Sequence, residues 1–249
     1  KNIKNKSIIN ITMKIVTLGT GDAFASDGRA STSILLDGTS KILLDCSPQA
    51  IQSLRRCNYS PNQIDYIFIS HLHGDHSGGL PLFLLNLKHR ESGIVKISGP
   101  NGLDRLIKNV YYEYYGDVDM KKYFEFKSLS SNYPFTVNYI EGDHSVLDYI
   151  YKIEIDGITV VYTGDTRKID LSTFAKNADY LFHEAGEIDP IRATTFAHTT
   201  PIEAAYAAKS ANVKNLVLVH RPDFSDELIH EVKSIFPNTL FPNDLDVIK

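Results

Sequence analysis

Four residues able to bind a metal fall within six positions of this sequence: His71, His73, Asp75 and His76, in the run His71-Leu72-His73-Gly74-Asp75-His76. They directly follow Asp65–Ser70 (Asp-Tyr-Ile-Phe-Ile-Ser), which reads as a buried strand. A loop leaving such a strand can turn all four side chains toward one point, and Gly74 gives the backbone the freedom for a tight turn. Imidazole and carboxylate donors suit zinc, with manganese or iron as alternatives. A single tetrahedral ion cannot use every donor, so the spacing predicts two divalent ions. Such a pair activates water for hydrolysis.

Strands and helices alternate around this segment. In the first half, strands are expected at Lys14–Leu18, Ser33–Asp37, Lys41–Asp45 and Ile94–Ser98. A helix fits Pro48–Cys57, with Ser47 as N-cap and Pro48 at the first helical position. Further helices fit Leu80–Lys88 and Leu103–Tyr115. In the second half, strands are expected at Phe135–Ile140, Tyr149–Ile155, Thr159–Thr163, Tyr180–His183 and Asn215–His220, with Asp156-Gly157 a hairpin turn. Thr200-Pro201-Ile202-Glu203 has the form of a capping box opening a helix to about Ala211, and Ser225–Ile235 is a last helix. Two packed sheets with helices outside satisfy this pattern. No linker divides the chain, so residues 13–249 are expected to form a single domain, with 1–12 an N-terminal extension or leader.

Composition narrows the function class. With 43% hydrophobic and 22% charged residues the chain is of ordinary globular type. A net charge of −4 argues against stable DNA binding. Two cysteines, Cys46 and Cys57, are too few for a disulfide scaffold and are expected to be buried, inert thiols. No apolar run is long enough to span a bilayer, and the basic, Asn-rich start lacks the apolar core of a secretory signal. No membrane association and a cytoplasmic location are therefore expected.

The run His-x-His-x-Asp-His after a buried strand resembles the signature of the metallo-β-lactamase superfamily. That resemblance covers most of the chain from Met13 onward, because further residues match in order. His144 in Glu-Gly-Asp-His matches the family's third histidine, Asp165 in Tyr-Thr-Gly-Asp-Thr its bridging aspartate, and His220 after Leu-Val-Leu-Val its last histidine. The resemblance implies an αββα four-layer sandwich of two mixed β-sheets with helices on both outer faces. It further implies that His71, His73 and His144 hold one metal, that Asp75, His76 and His220 hold the other, and that Asp165 bridges. A metal-bridging hydroxide is then the nucleophile, with Asp75 taking part in catalysis. Asp165 in place of cysteine is unlike the commonest true β-lactamases, and His73 in place of glutamate is unlike the flavodiiron branch.

Three further stretches resemble the ribonuclease Z group: Leu18-Gly19-Thr20-Gly21-Asp22-Ala23-Phe24, Gly78-Gly79-Leu80-Pro81, and Phe196-Ala197-His198-Thr199-Thr200-Pro201. Glu184-Ala185 matches a Glu-Ala pair of that group. The implied roles are a catalytic His198, stabilising charge on the phosphoryl group or protonating the leaving group, and a Glu184 that orients it and raises its pKa. His183 should face the other way on its strand. Two departures stand out. Arg29-Ala30 replaces the group's Arg-Asn pair. Only twenty residues separate His144 from Asp165, where tRNA-processing members carry a long basic arm. The expected activity is therefore a phosphodiesterase acting on a small phosphodiester, cyclic nucleotide or RNA, with tRNA 3′ processing or a thioesterase or lactonase activity as alternatives. A homodimer is expected, and Tyr111-Tyr112-Glu113-Tyr114-Tyr115 is expected to serve packing or a dimer contact rather than base stacking.

Overall fold

The computed structural model describes residues 13–90, 94–116 and 122–248, so the leader expected at 1–12 lies outside the described residues. The first sheet contains β1 (Lys14–Gly19), β2 (Ser33–Asp37), β3 (Lys41–Leu44), β4 (Tyr66–Phe68), β5 (Val95–Ser98) and β6 (Phe124–Phe126). The second contains β7 (Thr136–Glu141), β8 (Tyr149–Ile155), β9 (Ile158–Tyr162), β10 (Tyr180–Glu184), β11 (Asn215–Val219) and β12 (Thr239–Leu240). A final strand, β13 (Val247–Ile248), returns to the first sheet beside β1. The spatial orders are β13-β1-β2-β3-β4-β5-β6 and β12-β11-β10-β9-β8-β7.

Each sheet is mixed in the same way: consecutive antiparallel strands give way to parallel ones, β3 to β6 in one and β9 to β12 in the other. Parallel pairs need crossover connections, and helices supply most of them. They are α1 (Ala50–Arg56), α2 (Gly74–Ser77), α3 (Leu80–Arg90), α4 (Leu103–Tyr115), α5 (Pro190–Phe196), α6 (Pro201–Ala211) and α7 (Asp226–Ile235).

Three apolar clusters separate four layers. Leu54, Phe83, Leu87, Ile107 and Tyr111 cover the outer face of the first sheet, and Ala204, Ala208, Ala211 and Val232 that of the second. Between the sheets lie Ile34, Leu36, Phe68, Tyr151, Tyr162, Phe182 and Val217. Each such fully buried aliphatic or aromatic side chain contributes roughly 1.5–3 kcal/mol, so the two sheets are held face to face with little freedom to slide. The αββα arrangement expected from the sequence is the one observed.

Local differences have simple causes. The first helix begins at Ala50 rather than Pro48, and Ser47 does not cap it. The Ser47 hydroxyl instead accepts a hydrogen bond from Ser33 Oγ at 3.1 Å, while Ala50 N–H closes a turn onto Ser47 O. The metal-motif loop contains a single helical turn, α2, and β6, β12, β13 and α5 were not anticipated, being too short to show a period. The Asp156-Gly157 turn is as expected, with both residues at positive φ and Ile155 opposite Ile158.

The capping box of α6 is fully formed: Thr200 Oγ1 accepts from Glu203 N–H, and Glu203 Oε2 accepts from Thr200 N–H. Replacing Thr200 by Ala removes that cap, and should lower unfolding stability by about 1 kcal/mol. A urea titration with a lower midpoint and an unchanged slope is the expected result.

Candidate metal centre and its surroundings

The site gathers at the ends of strands from both sheets. β4 leads to Ser70 and His71, β7 to His144, β9 to Asp165 and β11 to His220, and β10 ends in Glu184. Two of these strand ends, and that of β3 beside them, turn through the left-handed region: Asp45 after β3 (φ 57°), Gly164 after β9 (φ 57°) and His220 after β11 (φ 50°). Non-glycine residues adopt that conformation at a cost, and here it swings Asp45 and His220 off their strands toward the centre.

All seven predicted ligand residues come together. Ring nitrogens of His71, His73 and His144 form one group, and donor atoms of Asp75, His76, Asp165 and His220 form a second; within each group all donor atoms lie within 4.8 Å of one another. Asp165 faces both: its Oδ1 is 3.4 Å from His76 Nε2, and its Oδ2 is 3.3 Å from His220 Nε2 and 3.8 Å from His71 Nε2. Asp75 Oδ2 is 3.1 Å from His76 Nε2 and 3.4 Å from His220 Nε2.

Hydrogen bonds at the outer edges of the rings fix the tautomers. Ser70 Oγ donates its proton to Asp45 Oδ2 (2.7 Å), so it can only accept from His71 Nδ1, 3.0 Å away. His144 Nδ1–H donates to Ala197 O (2.9 Å), and His76 Nδ1–H donates to Asp45 Oδ2 (2.6 Å). The Nε2 atoms of His71 and His144 therefore present lone pairs, 3.0 and 3.2 Å from the same atom, His73 Nδ1. In the second group His76 Nε2 and Asp165 Oδ1 are buried without any hydrogen-bond partner. Inward-facing lone pairs and orphaned buried donor atoms fit a pair of divalent cations.

The electrostatics agree. Burial, then the neighbouring imidazoles, push His71 and His73 below the usual histidine range, keeping both rings neutral. Burial alone would raise Asp75 and Asp165, but the adjacent His220 and His76 hold both carboxyls low. Burial likewise opposes charge on His76 and His220, yet Asp165 with its fellow carboxylates carries both upward, so positive charge is drawn to this point. Asp148 is also buried here, and its carboxyl is pushed well up by burial and by the charges of Asp165 and Asp45. A nearby cation reverses that shift.

His198 stands beside this cluster, its ring stacked on His220 with centroids 5.3 Å apart. Its Nδ1–H donates to Glu184 Oε1 at 3.0 Å. Burial lowers the imidazole, but the hydrogen bond and charge of Glu184 outweigh it and bring it to about 9. Glu184 is itself fixed by backbone N–H groups of Thr166 and Gly186, both at 2.9 Å. His183, on the same strand, turns away and bonds its Nδ1 to Glu184 O.

Two residues that sequence reasoning passed over are Asp45 and Asp148. Asp45 accepts from Ser70 N–H, Ser70 Oγ, His76 Nδ1 and the Tyr162 hydroxyl, at 2.5–2.7 Å. The only signal was an aspartate ending a strand. Arg29, in the loop after β1, is held by Asp223 and Thr20 Oγ1, and Ala30 N–H donates to Asp244. Tyr111 is core, whereas Tyr112 and Tyr114 are exposed, and Tyr114 borders a 200 Å³ cavity with Leu72, Leu80 and Val110. Cys46 is buried, its thiol pushed up by burial, and Cys57 is half-buried.

Comparisons with known proteins place this geometry among relatives. Residues 13–228 match the family model for anti-Pycsar protein Apyc1. Ribonuclease Z of Listeria monocytogenes is 30% identical, with 95% of this chain and 99% of that protein covered. That alignment runs over 310 positions; this chain, at 95% of 249 residues, fills about 237, so roughly seventy are occupied by the relative alone. Among solved structures, the metallo-β-lactamase fold protein YhfI from Bacillus subtilis is 24% identical with a TM-score of 0.83 over 95% of this chain and 98% of that one. Human tRNase Z, short form, is 23% identical with a TM-score of 0.80 over 95% and 98%.

Asp45→Asn tests the hydrogen-bond hub. The amide keeps the shape but turns an NH₂ toward donors, leaving at least one buried group unpartnered. Urea unfolding of the metal-free variant should show a loss of about 2 kcal/mol. An unchanged midpoint would show that Asp45 does not hold the site together.

Proposed function

Because the chain belongs to the anti-Pycsar protein Apyc1 family and shares 30% identity with a ribonuclease Z, we propose that it hydrolyses small phosphodiesters, cyclic nucleotides or short RNA among them, with two divalent ions bound. That it is a metal-dependent hydrolase of the metallo-β-lactamase fold follows from those relatives. The observation that carries the finer reading is the Glu184–His198 pair beside the metal centre.

Zinc is the favoured ion for this donor set: His71, His73 and His144 would hold one ion, Asp75, His76 and His220 the other, and Asp165 faces both positions. When bound, such ions polarise a phosphoryl oxygen and lower the pKa of water. The chain's own residues do the rest. Asp75 turns a carboxylate oxygen into the second half, where a proton leaving the attacking water can be accepted. His198, protonated at neutral pH by its partnership with Glu184, carries a positive charge beside the reacting group and has a proton to give to the departing oxygen. Glu184, wholly buried and doubly held by backbone amides, keeps the imidazole from rotating away. A thioester releases a thiolate, a far weaker base than the alkoxide leaving a phosphodiester, and has less need of such a partner.

The reach of the substrate is the second element of the proposal. Between His144 and Asp165 the chain holds β8, β9, their two-residue turn and the short segments 145–148 and 163–164. Together with the roughly seventy positions found only in the Listeria relative, this favours substrates gripped near the scissile phosphate over the body of a tRNA. Processing of tRNA 3′ ends is the second reading, favoured by the ribonuclease Z relatives. A homodimer acting in the cytoplasm completes the proposal. Among the described residues no helix is long and apolar enough to cross a membrane.

His198→Ala should leave metal content intact while turnover of a cyclic nucleotide falls roughly a hundredfold or more. Glu184→Gln should give a milder loss that does not add independently to the first. Phosphodiester turnover that survives His198→Ala removes the basis for this mechanism. Asp165→Ala, by contrast, should abolish turnover and lower metal content while the circular dichroism spectrum stays native.

A further inference from the structure

The two halves of the centre are unequally provided with negative charge. The half built from Asp75, His76 and His220 has a carboxylate of its own besides its share of Asp165, whereas the other half consists of three imidazoles. Behind one of those imidazoles lies Asp148, with no exposed surface, its Oδ1 3.2 Å from His71 Nδ1. Asp148 Oδ1 also accepts from Asp165 N–H at 3.3 Å, and Oδ2 has no hydrogen-bond partner.

The backbone makes room for this carboxylate. A Cβ on Gly164 would fall 2.2 Å from Asp148 Oδ1, and one on Gly142 would fall 2.7 Å from Oδ2. A buried carboxylate with an unpartnered oxygen carries a large desolvation cost, which a nearby positive charge offsets. His71 lies between this carboxylate and the metal position: its Nδ1–H, donated to Ser70 Oγ, is also within 3.2 Å of Asp148 Oδ1, and its Nε2 lone pair faces the metal position. A carboxylate behind a ligating histidine strengthens the imidazole as a donor.

We propose that Asp148 is a positioning residue for the three-histidine half, backing His71 with the negative charge that Asp75 gives directly to the other half. The proposal rests on the two-ion reading above. Asp148 thereby raises zinc affinity at His71, His73 and His144 without touching the ion or the substrate.

Zinc titration of the metal-free protein against a chromophoric chelator tests this, with side-chain ¹⁵N shifts of His144 and His220 reporting which half fills. The wild type should take up two equivalents. Asp148→Asn, close to isosteric, should keep one equivalent at wild-type affinity, sensed by His220, and bind the other roughly ten- to a hundredfold more weakly, sensed by His144. If the amide variant does not fold, Asp148→Ser, with a smaller side chain, should show the same selective loss. Two equivalents bound as tightly as in the wild type overturn the proposal, and so does equal weakening of both halves, which marks a merely structural role. A wild-type protein that takes up one equivalent overturns the two-ion reading, and this inference with it.

Discussion

The contact between Asp45 and its four donors is the constraint on which the rest of the structure depends. Asp45 leaves β3 of the first sheet in a left-handed conformation and is completely buried. It receives the backbone and side chain of Ser70, which precede His71, the ring of His76, and the hydroxyl of Tyr162 from the second sheet. One carboxylate thus joins both sheets and fixes the tautomers of two histidines. Removing it from water is costly, and four hydrogen bonds, one of them to a histidine drawn toward positive charge, offset that cost. The geometry of the metal centre is in this sense a consequence of how the two sheets are pinned together.

The same logic explains why the site lies where it does. Parallel strands in both sheets point their ends at one edge of the sandwich, and the connections leaving them need not be buried. Side chains are delivered from strand ends rather than from long loops, so their positions inherit the stiffness of the core. The apolar layer of Phe68, Tyr151, Tyr162 and Phe182 fixes the spacing between the strands that carry His71 and Asp165. Tyr151 makes the link explicit, donating its hydroxyl to Ile69 O at 2.7 Å, two residues before His71.

Most of the architecture was legible in the sequence because it is written in short-range signals. Periodic strands, the Asp156-Gly157 turn and the Thr200 capping box each declare themselves within a few residues, and the structure contains them. The donor residues were legible for a different reason: four lie within one run, and the others each follow a strand. Asp45 and Asp148 were not, because a buried aspartate has no sequence pattern of its own, and their partners lie between 17 and 117 residues away. Ser47 misled as an N-cap because its hydroxyl had a tertiary partner in Ser33, and a long-range bond outranked a local preference. Short elements such as β6 and β12 exist only because neighbouring strands offer them an edge.

The proposed activity depends on two cations held by the seven side chains gathered around Asp165. Anomalous diffraction from crystals of the zinc-loaded protein, collected above and below the zinc edge, tests this most directly. Two peaks about 3.5–4 Å apart are expected, one among His71, His73 and His144, the other among Asp75, His76 and His220, with Asp165 contacting both. A single peak under excess zinc, or two peaks of which neither is contacted by Asp165, contradicts it.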